Sequence, residues 1–135
     1  MTEQRKILVC DDEPHILRAA EFKFRRAGYD VTCASDGQQA WECIEASRPD
    51  AVITDCQMPR LNGIELAQRI HDDERTRGIP VLMLTAKGFE LSQEKLRAEC
   101  HIVEVLSKPF SPRELLERVD RLFDATEGAL DEAGK

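Results

Sequence analysis

The sequence predicts an α/β domain: one parallel sheet with helices packed on both of its faces. Three observations lead there. Five short apolar runs alternate with longer amphipathic stretches. The runs are continuous rather than alternating in polarity, as expected of strands covered on both faces. Each intervening stretch is long enough for a crossover between parallel strands, and right-handed crossovers distribute the helices over the two faces. A chain of 135 residues suits one such domain with one core.

The elements follow in order. Lys6-Ile-Leu-Val-Cys10 is the first strand. A helix is predicted over about 13–27, with Ile16, Leu17, Ala20, Phe24 and Ala27 on one face and Gly28 as a left-handed stop. The second strand covers 29–34. Asp36, with Gln39 three residues on, resembles a capping box for a helix carrying Ala40, Trp41 and Ile44, which ends before Pro49. The third strand, 51–54, runs into Asp55. A loop with Pro59 and Gly63 leads to a helix bearing Ile64, Leu66, Ala67 and Ile70. The fourth strand is read over 79–84, a fourth helix over about 89–99, and the fifth strand over 102–106. The last helix has the clearest start: Ser111 as cap, Pro112 at the first helical position and Glu114 completing the box, followed by a stripe of Leu115, Leu116, Val119, Leu122 and Phe123. The domain is expected over 5–124. Residues 125–135 have little to bury and read as a flexible tail.

Composition narrows the function classes. The net charge of −7 disfavours direct nucleic-acid binding, which needs a basic face. The longest apolar runs are far too short to span a bilayer, and no signal-peptide stretch follows the N-terminus, so a cytoplasmic protein without membrane contact is expected. Five cysteines without a C-x-x-C pair fit neither a disulfide framework nor a zinc site. Cys10 and Cys33 read as small buried hydrophobes and Cys56 as a buried spacer.

The chemistry gathers at one edge. Asp11 and Asp12 follow the first strand, Asp55 the third, Thr85 the fourth and Lys108 the fifth. In an open parallel sheet the carboxyl ends of the strands share one edge, and ligands bind in the crevice there. Each residue alone has an ordinary structural explanation; their coincidence on one edge does not. Three neighbouring carboxylates repel unless a cation compensates. Mg²⁺ is suited: it takes oxygen ligands and bridges carboxylates to phosphate, and its charge with that of Lys108 balances the three acids. Such a site serves phosphoryl transfer, with one carboxylate as in-line nucleophile.

The order Asp11-Asp12, Asp55-x-x-Met58-Pro59-x-x-x-Gly63, Thr85-Ala86, Lys108-Pro109-Phe110 resembles the receiver domain of two-component response regulators, over roughly residues 5 to 124. The resemblance implies a flavodoxin-like, doubly wound, three-layer α/β/α fold with strand order 2-1-3-4-5 and five helices. It implies Asp55 as phospho-acceptor, Asp12 as direct ligand to Mg²⁺ with Asp11 as its acidic partner, and Asp55 and the backbone carbonyl of Gln57 as further ligands. Thr85 and Lys108 would contact the phosphoryl group, and Pro109 occupies a position that is often cis. The implied partners are a histidine kinase or a histidine phosphotransfer protein and a downstream target, with the chain a monomer or a phosphorylation-dependent dimer. It would be no enzyme beyond phosphoryl transfer onto itself and its own dephosphorylation.

The chain departs from the pattern in places. Val105 stands where many receivers carry an aromatic switch residue, so the usual threonine–aromatic coupling is expected to be absent or rerouted. Lys87 is expected near the phosphate entry, and Gly88 as a hinge for a mobile fourth helix. A stand-alone receiver is the leading reading, ahead of a receiver cut from a longer regulator with an output domain. A haloacid-dehalogenase-like phosphatase would need an acid where Gln57 stands. A flavodoxin-like cofactor binder would need a Ser-, Thr- and Gly-rich loop where Asp11-Asp12-Glu13 stands.

Overall fold

A computed structural model describes residues 4–58, 60–85 and 102–133, with side chains through Asp124. Its elements are β1 (Lys6–Cys10), α1 (Pro14–Arg26), β2 (Asp30–Ala34), α2 (Gly37–Ala46), β3 (Ala51–Asp55), α3 (Gly63–Asp72), β4 (Val81–Thr85), β5 (Ile102–Ser107) and α4 (Pro112–Ala133). All neighbouring strands pair in parallel, in the order β2-β1-β3-β4-β5 that the resemblance implied. Four of the five expected helices lie among the described residues. The helix expected over 89–99, with Lys87 and Gly88 before it, lies outside them, as do Pro59 and Ala86.

Side chains alternate across the sheet, so each strand feeds two cores. Ile7, Val9, Ile53, Leu82 and Leu84 pack with Phe24, Leu115 and Val119 of α1 and α4. Leu8, Cys10, Val52, Val81 and Met83 pack with Trp41, Ile44, Leu66 and Ile70 of α2 and α3. This double burial is why the strands read as unbroken apolar runs. Cys10 and Cys56 are buried as expected, whereas Cys33 is only half-buried, on the edge strand. Val105 is partly buried against the α2–α3 side of the core, level with Met83.

Helix ends carry the capping chemistry. Gly28 has φ of 96°; its N–H bonds to Arg25 O, and that of Tyr29 to Phe24 O, closing a Schellman turn. The rings of Phe24 and Tyr29 meet edge to face across it, with centroids 5.6 Å apart. A Cβ on Gly28 would touch nothing within 4 Å. Gly28→Ala should therefore cost only the left-handed backbone penalty, about 1–2 kcal/mol, read as a lower denaturant midpoint at unchanged m-value.

Two local expectations are corrected. Asp36 does cap α2, accepting from Gln39 N at 2.8 Å, but Gln39 reaches back to Ser35 N–H at 2.7 Å rather than to Asp36, so the box is one residue wider. The full reciprocal box belongs to α3, where Asn62 and Glu65 exchange bonds of 2.9 and 3.2 Å. Finally, α4 does not end near Asp124: its backbone stays helical to Ala133. Residues 125–133 are rich in good helix formers, and extending an existing helix avoids the nucleation cost that an isolated segment would meet.

Candidate functional site at the carboxyl edge of the sheet

The site is built where β1, β3, β4 and β5 end. Asp55 is the last residue of β3 and Thr85 the last of β4, one residue further than the sequence reading placed each strand's end. Asp11 follows β1 directly, and its N–H is held by Ala34 O at 3.1 Å. Lys108 follows β5, its N–H donating to Thr85 O at 2.7 Å, and the Lys108–Pro109 peptide is cis. Ser111 Oγ accepts from Glu114 N at 3.0 Å and starts α4 just beyond.

Two glycines shape the loop that follows Asp55. A Cβ on Gly63 would lie 2.1 Å from Asp55 O, and one on Gly37 would lie 1.9 Å from Leu61 O. Only hydrogen fits at either place. Gly63 N also donates to Cys56 O at 3.0 Å, so the start of α3 is seated on the end of β3. Arg60 in the same loop adopts φ of 67° and pairs with Asp36 at 3.5 Å.

The charged groups meet around Lys108. Lys108 Nζ lies 3.1 Å from Asp11 Oδ2, 3.1 Å from Glu13 Oε1 and 3.2 Å from Asp55 Oδ2. Asp11 is fully buried, Asp55 and Thr85 are buried, and Asp12 is exposed. Gln57 is exposed on the loop after β3, and its backbone N–H bonds the Asp55 carboxylate. Glu13 is the residue that sequence reasoning missed. The sequence places it at the start of a helix and in the acidic run Asp11-Asp12-Glu13, and neither assigns it a contact with Lys108.

Burial raises Asp55 from the ordinary carboxylate value to about 6; the neighbouring charge of Asp11 adds to this and Lys108 opposes it. Asp11 is likewise pushed up by burial, against the Glu13 N–H and Lys108. Burial alone would lower Lys108, but Asp11, Glu13 and Asp55 outweigh it and hold the ammonium protonated well beyond its ordinary range. Lys108 is thus a fixed cation, while the carboxylates around it are short of positive charge.

The arrangement fits a hard cation. Oxygen atoms of Asp11, Asp12 and Asp55 all lie within 4.8 Å of one another. Asp11 Oδ2 is buried with no hydrogen-bond partner; Lys108 Nζ is near it as an ion pair but lacks hydrogen-bond direction. Three neighbouring carboxylates, two of them buried, that share a single ammonium are a costly arrangement that a divalent ion relieves. Among the described residues these are the groups positioned to hold one.

The comparisons with known proteins agree with this edge. Residues 7–120 match the response regulator receiver domain family. The chain is 38% identical over 123 residues to the alkaline phosphatase synthesis transcriptional regulatory protein PhoP of Bacillus subtilis, covering 91% of this chain and 50% of that protein. It is 39% identical over 123 residues to the phosphate regulon transcriptional regulatory protein PhoB of Pseudomonas aeruginosa, covering 90% and 53%. The chain therefore spans about half the length of these curated relatives. Among solved structures, the chemotaxis response regulator CheY4 of Vibrio cholerae superposes with a TM-score of 0.79 at 30% identity, covering 88% of this chain and 98% of that one. Fold, edge chemistry and family match converge, and the chain belongs to the response regulator receiver domain family of two-component signalling.

Proposed function

We propose that this chain accepts a phosphoryl group on Asp55 from a histidine kinase or a histidine phosphotransfer protein, with Mg²⁺ held by Asp11, Asp12, Asp55 and the Gln57 carbonyl. The observation that carries this is the sharing of one ammonium, Lys108 Nζ, between the buried carboxylates of Asp11 and Asp55 at 3.1 and 3.2 Å. With a value of about 6, Asp55 is mostly ionised at neutral pH and so available as the nucleophile. Its carboxylate oxygen attacks phosphorus, the bond from phosphorus to the donor's imidazole nitrogen breaks, and an acyl phosphate forms. The N–H donors that Lys108 directs at Asp55 and Asp11 turn to phosphoryl oxygens. Thr85, buried at the adjacent strand end, donates its hydroxyl to another. Bound Mg²⁺ supplies charge neutralisation for the phosphoryl oxygens.

The product carries about one more negative charge than free Asp55. That charge draws on Thr85 and Lys108, whose backbones are joined at 2.7 Å, and biases the carboxyl ends of β4 and β5 between two conformations. Val105, in place of an aromatic, leaves that output to the packing of β5. The protein acts as a switch, catalysing only its own phosphorylation and dephosphorylation, and signals to a protein target as a monomer or a phosphorylation-dependent dimer. No described helix is long and apolar enough to cross a membrane; a cytoplasmic setting accords with the proposed donor. A second reading, in which this receiver forms part of a longer transcriptional regulator, is favoured by the half-length coverage of both curated relatives.

Intact-mass measurement after incubation with acetyl phosphate tests the chemistry. Gain of one phosphoryl group is expected in wild type with Mg²⁺, and none in Asp55→Asn or with chelator. Incorporation that persists in Asp55→Asn would overturn the assignment.

A further inference from the structure

Glu13 occupies a position that ordinarily serves a different purpose. It is the N-cap of α1, with φ −96° and ψ 109°, but its side chain makes no capping bond. Ser, Thr, Asp or Asn there would stabilise the helix by about 1 kcal/mol. Instead the Glu13 carboxylate accepts from Lys108 Nζ at 3.1 Å, across 95 residues of sequence. Its own backbone is fixed on both sides. Its N–H donates to Asp11 Oδ1 at 2.9 Å, and its carbonyl accepts from Ile16 and Leu17.

We propose that Glu13 is a positioning residue for phosphoryl transfer, a tether that holds the Lys108 ammonium in place while Asp11 and Asp55 are engaged elsewhere; this rests on the reading of Asp55 as acceptor. Lys108 has three N–H donors and three carboxylate neighbours at nearly equal distance. Two of those neighbours belong to the cation set. With Asp11 turned to a bound cation and Asp55 esterified, each would loosen its hold on Lys108. Among the described residues, Glu13 is the carboxylate in contact with Lys108 that lies outside that set. A lysine side chain has about 2 kcal/mol of rotamer entropy to lose on being fixed. With its amide bound to Thr85 O and its ammonium bound to Glu13, Lys108 is ordered before the donor arrives. One donor then stays with Glu13, and the other two face the phosphoryl oxygens.

The test compares Glu13→Ala, Glu13→Gln and, for an equal change of charge two turns along α1, Glu21→Gln. Phosphorylation by acetyl phosphate at saturating Mg²⁺ is followed by intact mass, Mg²⁺ affinity by titration of the unphosphorylated protein, and Lys108 order by ¹³Cε NMR relaxation. The expected result is a rate about tenfold lower in Glu13→Ala and within about threefold of wild type in Glu13→Gln, which keeps the length and the acceptor oxygen. Glu21→Gln should match wild type, Mg²⁺ affinity should stay within about twofold in every variant, and Lys108 Cε should lose order in Glu13→Ala alone. Unchanged Lys108 order in Glu13→Ala overturns the tether, whatever the phosphorylation result. So does a rate equal to wild type, or a loss of rate that merely follows a loss of Mg²⁺ affinity. Wild type that takes up no phosphoryl group would instead count against Asp55 as acceptor, while the NMR comparison would still decide on Glu13.

Discussion

Gly63→Ala is expected to destabilise the fold by about 3 kcal/mol or more and to abolish phosphoryl uptake together with it, although the change adds a single methyl group. The added carbon would sit 2.1 Å from Asp55 O and 3.0 Å from both Asp55 C and Cys56 Cα. All three atoms are backbone, so no side chain can swing away. Relief requires pulling α3 off the end of β3, which breaks the 3.0 Å bond from Gly63 N to Cys56 O and shifts the acceptor itself. Gly78→Ala is the control. A Cβ there meets only the end of the Arg48 side chain, at 3.6 Å, so a change within about 1 kcal/mol is expected. Urea titrations of both variants, with intact-mass phosphorylation at a temperature where each is folded, separate the two outcomes. A Gly63→Ala protein as stable as wild type would show that the loop is free to move, and the seating of the site on α3 would be wrong.

Asp55→Asn should make the metal-free protein more stable at neutral pH, on the order of 1–3 kcal/mol, while removing its chemistry. The carboxyl of Asp55 stands at about 6 in the folded chain, raised by burial and by Asp11, against about 4 in an unfolded chain. Between those values the folded state keeps a proton that the unfolded state has released. Stability from this group is therefore present below about pH 4, falls as pH rises to about 6, and stays low above that. Asp11, also raised, contributes with the same sign. The asparagine variant should lose the Asp55 part of that slope, so the two proteins converge at acid pH and separate towards neutrality. Millimolar Mg²⁺ should narrow the gap by stabilising the ionised wild-type cluster and favouring the variant less. Denaturant midpoints in EDTA and in Mg²⁺, from about pH 4 to about pH 7, give the answer. Equal stability across that range would mean that Lys108 fully offsets the carboxylates, and that the cluster has no electrostatic need of a cation.

The functional edge was legible because it obeys a topological rule. Parallel strands deliver their carboxyl ends to one side, so a polar residue at the end of each apolar run needs no three-dimensional information to be grouped with the others. Asp11, Asp55, Thr85 and Lys108 were recovered in this way, and the family's strand order followed from the motif that they form. Glu13 was not, because its value lies in a contact with a residue far away in the chain. Read locally, it is a weak start to a helix.

The sequence by itself determined the strand–helix alternation, the two-sided burial of the sheet, the turn at Gly28 and the identity of the acidic pocket. These rest on periodicity, composition and local backbone preference, which act over a few residues. The tertiary structure alone decided the rest. It showed that Lys108 is shared among three carboxylates, that Gly37 and Gly63 are required by backbone contact, and that α4 runs on to Ala133. Gly63 makes the difference plain. In the sequence it is a loop glycine within the motif that begins at Asp55, and only the approach of Asp55 O to within 2.1 Å of its missing Cβ gives the physical reason for it. Distances of that kind arise from packing between segments far apart in the chain, and no pattern within a single segment encodes them.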